Sequence, residues 1–298
     1  MDTNSGWFKM KFKDALKICR PINDIMGGLT VIIGILNTRT GVPLDLLVLN
    51  IILGMITYFF LAASGMIIND IYDIEIDKIN RPDRPIPSGR ISLEQAKKLF
   101  IGTYALGSAL SLVHGIIFLQ NITNFIIATF FGFIGWVYAK WGKKSGFFGN
   151  IIVSLSFSIG LIYGAVLNGY IPIFILYFYF TASFLLLSRE IIKGCEDVEG
   201  DKKFGVKTLA IKIGIKNATV CSLIAALLAI IFFILPMFTN IINPLFFLIP
   251  MIGGVILVSI PVVLMLKTDL EKKELSLISK LLKISMLVGL IAFIFASI

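Results

Sequence analysis

Histidine occurs once in these 298 residues, as His114, and cysteine three times, as Cys19, Cys195 and Cys221. A single histidine excludes His-based zinc sites and histidine-centred triads, and we expect it near a helix end with no special role. Three cysteines without a CxxC pair do not build a disulfide framework. Charge is scarce as well. Asp, Glu, Lys and Arg make up 15% of the chain, against roughly 25% in a soluble domain. That is too little polar surface to coat a water-soluble globule. The first twenty residues carry charges but no apolar run ending in small residues, so no signal peptide is expected.

What is present is apolar: 57% of residues are hydrophobic and the mean hydropathy is +0.92. Disorder is excluded on the same counts, and a membrane protein with several spans remains. A crossing helix needs roughly 20 mostly apolar residues. About nine stretches approach this: Ile22–Asn37, Leu47–Asn69, Phe100–Leu119, Phe125–Tyr138, Gly149–Leu167, Ile171–Ser188, Thr219–Met237, Leu245–Leu266 and Leu281–Ala296. The expected fold is all-α, a single polytopic bundle over 1–298 capped on the cytoplasmic side by loops 2–3 and 6–7. Within 1–20, Phe8, Phe12, Ala15 and Leu16 share one helical face while Lys9, Lys13 and Lys17 lie elsewhere. That pattern predicts an amphipathic helix along the membrane surface.

A net charge of +9 would suggest nucleic acid in a soluble protein. Here it reads as membrane-surface charge, and no nucleic-acid partner is expected. Lys and Arg gather before span one, in loops 2–3, 4–5, 6–7 and 8–9; only Arg39 of the 27 lies on the other side. The bias places the N-terminus and the even-to-odd loops in the cytoplasm, in a multi-pass cell-membrane protein.

Half of the 18 acids fall in two short windows at cytoplasmic helix ends. The first holds Asp70, Asp73, Glu75 and Asp77. In a continuing helix Asn69, Asp73 and Asp77 stack at i, i+4 intervals, with Asp70 beside them. The second holds Glu190, Glu196, Asp197, Glu199 and Asp201, where Glu190, Lys193, Asp197 and Asp201 share a face. Like charges so stacked repel. One such window is an ordinary solvated helix end. Two Asp-x-x-x-Asp pairs, 124 residues apart at places an internal repeat would make equivalent, point instead to a compensating cation. Hard oxygen donors suit Mg²⁺, which bridges carboxylates to substrate phosphates. Both windows run into basic segments, Lys78 to Arg90 with Pro82, Pro85 and Pro87, and Lys202 to Lys207, whose side chains suit phosphate oxygens. Together these features describe a site for a metal-bound diphosphate, a good leaving group. If it departs from an allylic carbon, an apolar chamber can shield the resulting cation from water.

The residues Asn69-Asp-x-x-Asp-x-x-x-Asp77 and Asp197-x-x-x-Asp201, on loops 2–3 and 6–7 of a nine-helix plan, resemble the UbiA superfamily of intramembrane prenyltransferases. Arg20-Pro-Ile-Asn23, the Arg81–Arg90 loop, and Tyr138 with Lys140, Lys143 and Lys144 fit the same resemblance. It implies that Asn69, Asp73, Asp77, Asp197 and Asp201 hold Mg²⁺ and a prenyl diphosphate. Substrate contacts are then expected from Asn23, Asp70, Arg81, Arg84, Tyr138, Lys143, Arg189, Glu190 and Lys193. The stretch Ser188–Asp201 most resembles the archaeal branch that makes digeranylgeranylglyceryl phosphate. That implies geranylgeranyl diphosphate as donor and a phosphorylated lipid, geranylgeranylglyceryl phosphate, as acceptor, both drawn from among membrane lipids. Oligomeric state and general base stay open, the latter among Glu190, Asp70 and the departing diphosphate. An aromatic acceptor such as 4-hydroxybenzoate is the nearest alternative. A carrier would place its ionisable groups at mid-bilayer, and the Asp-Gly…Ala-Arg run of a CDP-alcohol phosphotransferase does not occur.

Overall fold

The structure, a computed structural model, describes residues 11–203 and 205–298; the side chains at positions 22, 23, 25, 26, 80, 143, 144 and 203 lie outside the description. The described residues are helical throughout, with no strand among them. A short helix α1 (Phe12–Cys19) meets α2 (Pro21–Asn37) at Arg20; α3 (Leu44–Tyr72) is followed by a short α4 (Ile74–Asn80). Next come α5 (Leu93–His114), α6 (Thr123–Lys140), α7 (Phe147–Ser158) and α8 (Gly160–Leu167). Then α9 (Ile173–Glu196) is followed by a second short helix, α10 (Val198–Lys203). The chain ends with α11 (Leu209–Ile234), α12 (Pro244–Leu264) and α13 (Lys272–Phe295).

Among the described residues seven helical stretches are long and apolar enough to cross a membrane: Leu44–Tyr72, Leu93–Leu119, Phe147–Leu167, Ile173–Glu196, Leu209–Phe238, Pro244–Leu264 and Lys272–Phe295. The protein is therefore multi-pass. Helices α2 and α6, at the positions expected for spans one and four, are shorter, with 17 and 18 residues. Several helices begin well before the apolar run that announced them. Helix α5 starts at Leu93, where Ser92 and Gln95 form a reciprocal capping box, and α13 at Lys272 behind Glu271 and Glu274. Caps and polar turns extend a helix past the hydrocarbon, and hydropathy sees only the part inside it.

Helices α2, α3, α5 and α6 form one group, and α9, α11, α12 and α13 another. The second packs around aromatic rings, with Phe178 stacked on Phe293 at 4.0 Å between centroids. Helix α8 joins the groups by crossing α2 backbone to backbone, with Gly34 facing Leu161 and Gly164 facing Val31. A methyl group at Gly164 would lie well within van der Waals contact distance of the Val31 carbonyl oxygen and clash with it. Gly164→Ala is expected to cost about 1–3 kcal/mol by overpacking, read as a lower unfolding temperature in detergent; an unchanged temperature would show that the crossing is loose.

The amphipathic helix expected within 1–20 is described from Phe12 onward; Phe8 and Lys9 lie outside the described residues. Helix α1 exposes Phe12 and Leu16 and buries Ile18 and Cys19. It docks on the loop after α4, where Arg90 Nε lies 3.3 Å from Asp14 and Lys17 donates to the Asp83 carbonyl. His114 does end a helix, but it is fully buried, and its Nε2 lies 2.9 Å from Asn50 Oδ1.

Candidate active site

Each acidic window is a long helix continued by a short one, and in both the break falls on the first aspartate of the Asp-x-x-x-Asp pair. Asp73 joins α3 to α4 at φ −94°, ψ 4°. Asp197 joins α9 to α10 at φ −101°, ψ 10°. Around both joints the hydrogen bonding repeats. Asp73 N–H donates to Asn69 O at 3.0 Å and Asp77 N–H to Asp73 O at 2.8 Å; Asp197 N–H donates to Lys193 O at 3.0 Å and Asp201 N–H to Asp197 O at 2.9 Å. Both torsion pairs lie in the sparsely populated bridge region, where many active-site residues sit. The i, i+4 stacking expected of a continuous helix is thus nearly kept, with a bend at its central acid.

Arginines organise the first window. Asp70, buried at 2% exposure, is ion-paired to Arg20 and to Arg84, the latter at 3.1 Å. Arg84 also pairs with Asp77, itself buried. The proline-rich loop 81–91 makes this possible, because its turns (Arg84 N–H to Arg81 O, Gly89 N–H to Ile86 O) fold it back under α4. Arg84, expected at a phosphate, is thus committed to two carboxylates, while Arg81 stays exposed at the end of α4. In the second window Glu190 takes the equivalent central place. Arg189 donates to it at 2.7 Å and Lys193 lies at 3.5 Å. Asp197 is exposed and Asp201 half-buried.

The two windows approach each other at Tyr138, at the end of α6. Asp73 from the first and Glu190 from the second both lie within electrostatic reach of its hydroxyl. Gly142 and Gly149 leave room for the ring. Tyr138 and Asn69 stand at one end of a cavity of about 200 Å³ between α3, α6, α7 and α8. Its walls are apolar, with Met66, Phe131 and Phe157, and at its far end Tyr163 and Thr57 contribute hydroxyls.

Among the described residues no three Asp, Glu, His or Cys side chains are gathered tightly enough to chelate an ion by themselves. The available donors are Asn69, which lines the polar end of the cavity, Asp73 at the joint that follows it, and the acids of the second window, all oxygen ligands. This fits Mg²⁺, which usually takes one or two carboxylates and fills its remaining positions with water and substrate phosphate. The side chains of Asn23 and Lys143 lie outside the described residues.

Two residues at this site carried no role in the sequence reading beyond Arg20's place in the Arg-Pro-Ile-Asn segment. Arg20, at φ 51°, turns the chain between α1 and α2 and reaches Asp70 across fifty positions. Asp24, one turn further along α2, is buried at 3% exposure, and neither carboxylate oxygen has a hydrogen-bond partner among the described residues. The only sequence signal was a charge inside a span. Cys19 lies beside it; burial, reinforced by Asp24, pushes this thiol up to about 11, so it remains protonated and is no nucleophile near the site.

The model of the UbiA prenyltransferase family matches residues 28–287. The digeranylgeranylglyceryl phosphate synthase of Methanocaldococcus jannaschii is 37% identical, over 98% of this chain and 99% of its own. A solved structure concerned with digeranylgeranylglyceryl phosphate synthase in membranes superposes with a TM-score of 0.82 at 35% identity, covering 96% of this chain and 98% of that one. A UbiA homologue from Archaeoglobus fulgidus, bound to GPP and Mg²⁺, shares the fold with a TM-score of 0.65 at 19% identity, over 94% of this chain and 99% of the other. The chain belongs to the UbiA prenyltransferase family.

Proposed function

We propose that this protein transfers a geranylgeranyl group from geranylgeranyl diphosphate to the free hydroxyl of geranylgeranylglyceryl phosphate, giving digeranylgeranylglyceryl phosphate for ether-lipid synthesis. The carrying observation is the pair of matched aspartate joints, Asp73 and Asp197, whose two windows both reach Tyr138 electrostatically, through Asp73 and Glu190, beside an apolar cavity. The relatives' names supply the acceptor. Orientation follows the charge bias: the N-terminus, both windows and the α1 surface helix face the cytoplasm, the exposed Phe12 and Leu16 of α1 resting in the lipid interface. Helices α2 and α6 are two further crossings of a nine-span, single-domain bundle; at 1.5 Å per residue each is about 26 Å long, close to the hydrocarbon thickness.

Asn69, Asp73, Asp77, Asp197 and Asp201 hold Mg²⁺ together with the diphosphate. When bound, the ion neutralises charge on the departing diphosphate. Arg81, Arg189 and Lys193, with Lys143, lie near enough in sequence to the windows to meet phosphate oxygens, and Asn23 lies beside Arg20. Arg20 and Arg84 hold Asp70 and Asp77 in place, so the acids are positioned before substrate arrives. The Met66, Phe131 and Phe157 walls take the prenyl chain and exclude water from the allylic carbon. The ring of Tyr138 offers its π face to the cationic fragment.

The test is incubation of purified protein with Mg²⁺, geranylgeranyl diphosphate and separate acceptors, with mass analysis. The diether phosphate should form, stop on chelation by EDTA and return on adding Mg²⁺. Product with 4-hydroxybenzoate but none with the glycerophosphate ether would overturn the assigned acceptor.

A further inference from the structure

The apolar cavity has a definite length. Its lining runs along α3 from Asn69 to Thr57, about 18 Å at the rise of an α-helix, and along α6 from Tyr138 to Ile127, about 16 Å. A geranylgeranyl main chain of sixteen carbons stretches to about 19 Å at bonds of about 1.5 Å. With its diphosphate end beside Asn69 and Tyr138, such a chain brings its last isoprene unit to Thr57 and Tyr163 at the far end.

At that depth the interior turns polar. Asn50, Thr57, Ser111, His114 and Asn124 are wholly buried, and Tyr163 is 3% exposed. The Tyr163 hydroxyl lies 3.3 Å from Ser111 Oγ, and Asn124 Nδ2 donates to the Ser111 carbonyl at 2.7 Å. One turn further from Asn69 the pattern continues. His114 Nε2 lies 2.9 Å from Asn50 Oδ1, and Asn50 Nδ2 donates to the Leu167 carbonyl at 2.8 Å. These bonds tie α3, α5, α6 and α8 together just where the chamber would otherwise run on. Buried hydrogen-bonding groups are costly to part unless new partners are supplied. A hydrocarbon tail supplies none.

Resting on the transfer reaction proposed above, we infer that this polar layer, fronted by Thr57 and Tyr163, is the end wall of the prenyl chamber and holds the donor to four isoprene units. A shorter donor leaves apolar wall uncovered and forfeits part of its burial. A fifth unit meets the Tyr163 ring and has to separate the hydrogen bonds behind it. One methylene in an apolar pocket is already worth about 10–200-fold in discrimination, so a further five-carbon unit is well within the reach of such a wall.

The test uses the full chain in detergent or nanodiscs with Mg²⁺ and geranylgeranylglyceryl phosphate. It measures kcat/KM, and Kd alongside, for prenyl diphosphates of three, four and five isoprene units. Wild type should prefer four units over five by about tenfold or more. Tyr163→Ala removes the ring and should bring the five-unit donor within about 3-fold of the four-unit one. Ala128→Leu adds bulk to the α6 wall about 15 Å from Tyr138. It should lower kcat/KM for four units about tenfold or more and change that for three units less than about 3-fold. Ala128→Leu leaves the hydrogen-bonded layer whole, so it decides the matter if Tyr163→Ala does not fold. A layer that only ties helices together would lower unfolding temperature in Tyr163→Ala and scale every donor alike. That result, equal use of four and five units by wild type, or an unchanged length profile in Ala128→Leu would each overturn the assignment. A wild type that makes no ether from any donor overturns the transfer reaction instead, and the Kd series still reads the length preference.

Discussion

Asp73→Ala and Asp197→Ala should each reduce prenyl transfer about 10³-fold or more while leaving the protein folded in detergent. Loss of one preorganised stabilising group commonly costs 10²–10³ in rate, and these aspartates contribute through a cation that touches the leaving group itself. The structure explains why the fold should survive. Both residues sit at helix joints and help to terminate spans whose apolar stretches lie well inside the membrane, and Asp197 is exposed. Asn at either position should recover part of the activity by returning one oxygen ligand. Product accumulation under single-turnover conditions, with size-exclusion profiles alongside, measures both effects. Turnover in Asp73→Ala or Asp197→Ala within tenfold of wild type would remove the metal-site assignment.

Arg84→Ala should act in the opposite sense, on the fold first. Among the described residues Arg84 is the ion-pair partner of Asp77 and one of two for Asp70, and both acids are buried. Removing one partner from a buried ion pair typically costs about 3–5 kcal/mol, because the remaining charge has no water to turn to. The expected result is a large drop in unfolding temperature and poor recovery from the membrane. Pairing Arg84→Gln with Asp77→Asn removes both charges, so stability should return while activity does not. If Arg84→Ala instead left stability untouched and weakened only donor binding, Arg84 would be a phosphate ligand, as its residue type alone suggested.

That contrast marks where the sequence stops being legible. The membrane bundle could be read from apolar runs, and the acidic windows stood out because Asp-x-x-x-Asp occurred twice at helix ends. Hydropathy carries that information directly. It does not say that Arg84 turns inward to Asp70 and Asp77 rather than outward to phosphate, since a guanidinium fork fits both oxyanions and only the folding of loop 81–91 decides between them. The pairing of Arg20 with Asp70 spans fifty positions and two helices, and no local pattern encodes it. Asp24 was lost among apolar neighbours because a single charge hardly alters a window average. The breaks at Asp73 and Asp197 were hidden for another reason: a one-residue bend preserves the i, i+4 spacing on which a helix reading depends.

The crossing of α2 over α8 has a consequence for release. Where Gly34 and Gly164 bring two backbones into contact, no gap remains that a hydrocarbon tail could thread. A diether with two long chains cannot depart through water and must slip sideways into the bilayer. With the glycine seam welded shut, that sideways path does not run between α2 and α8.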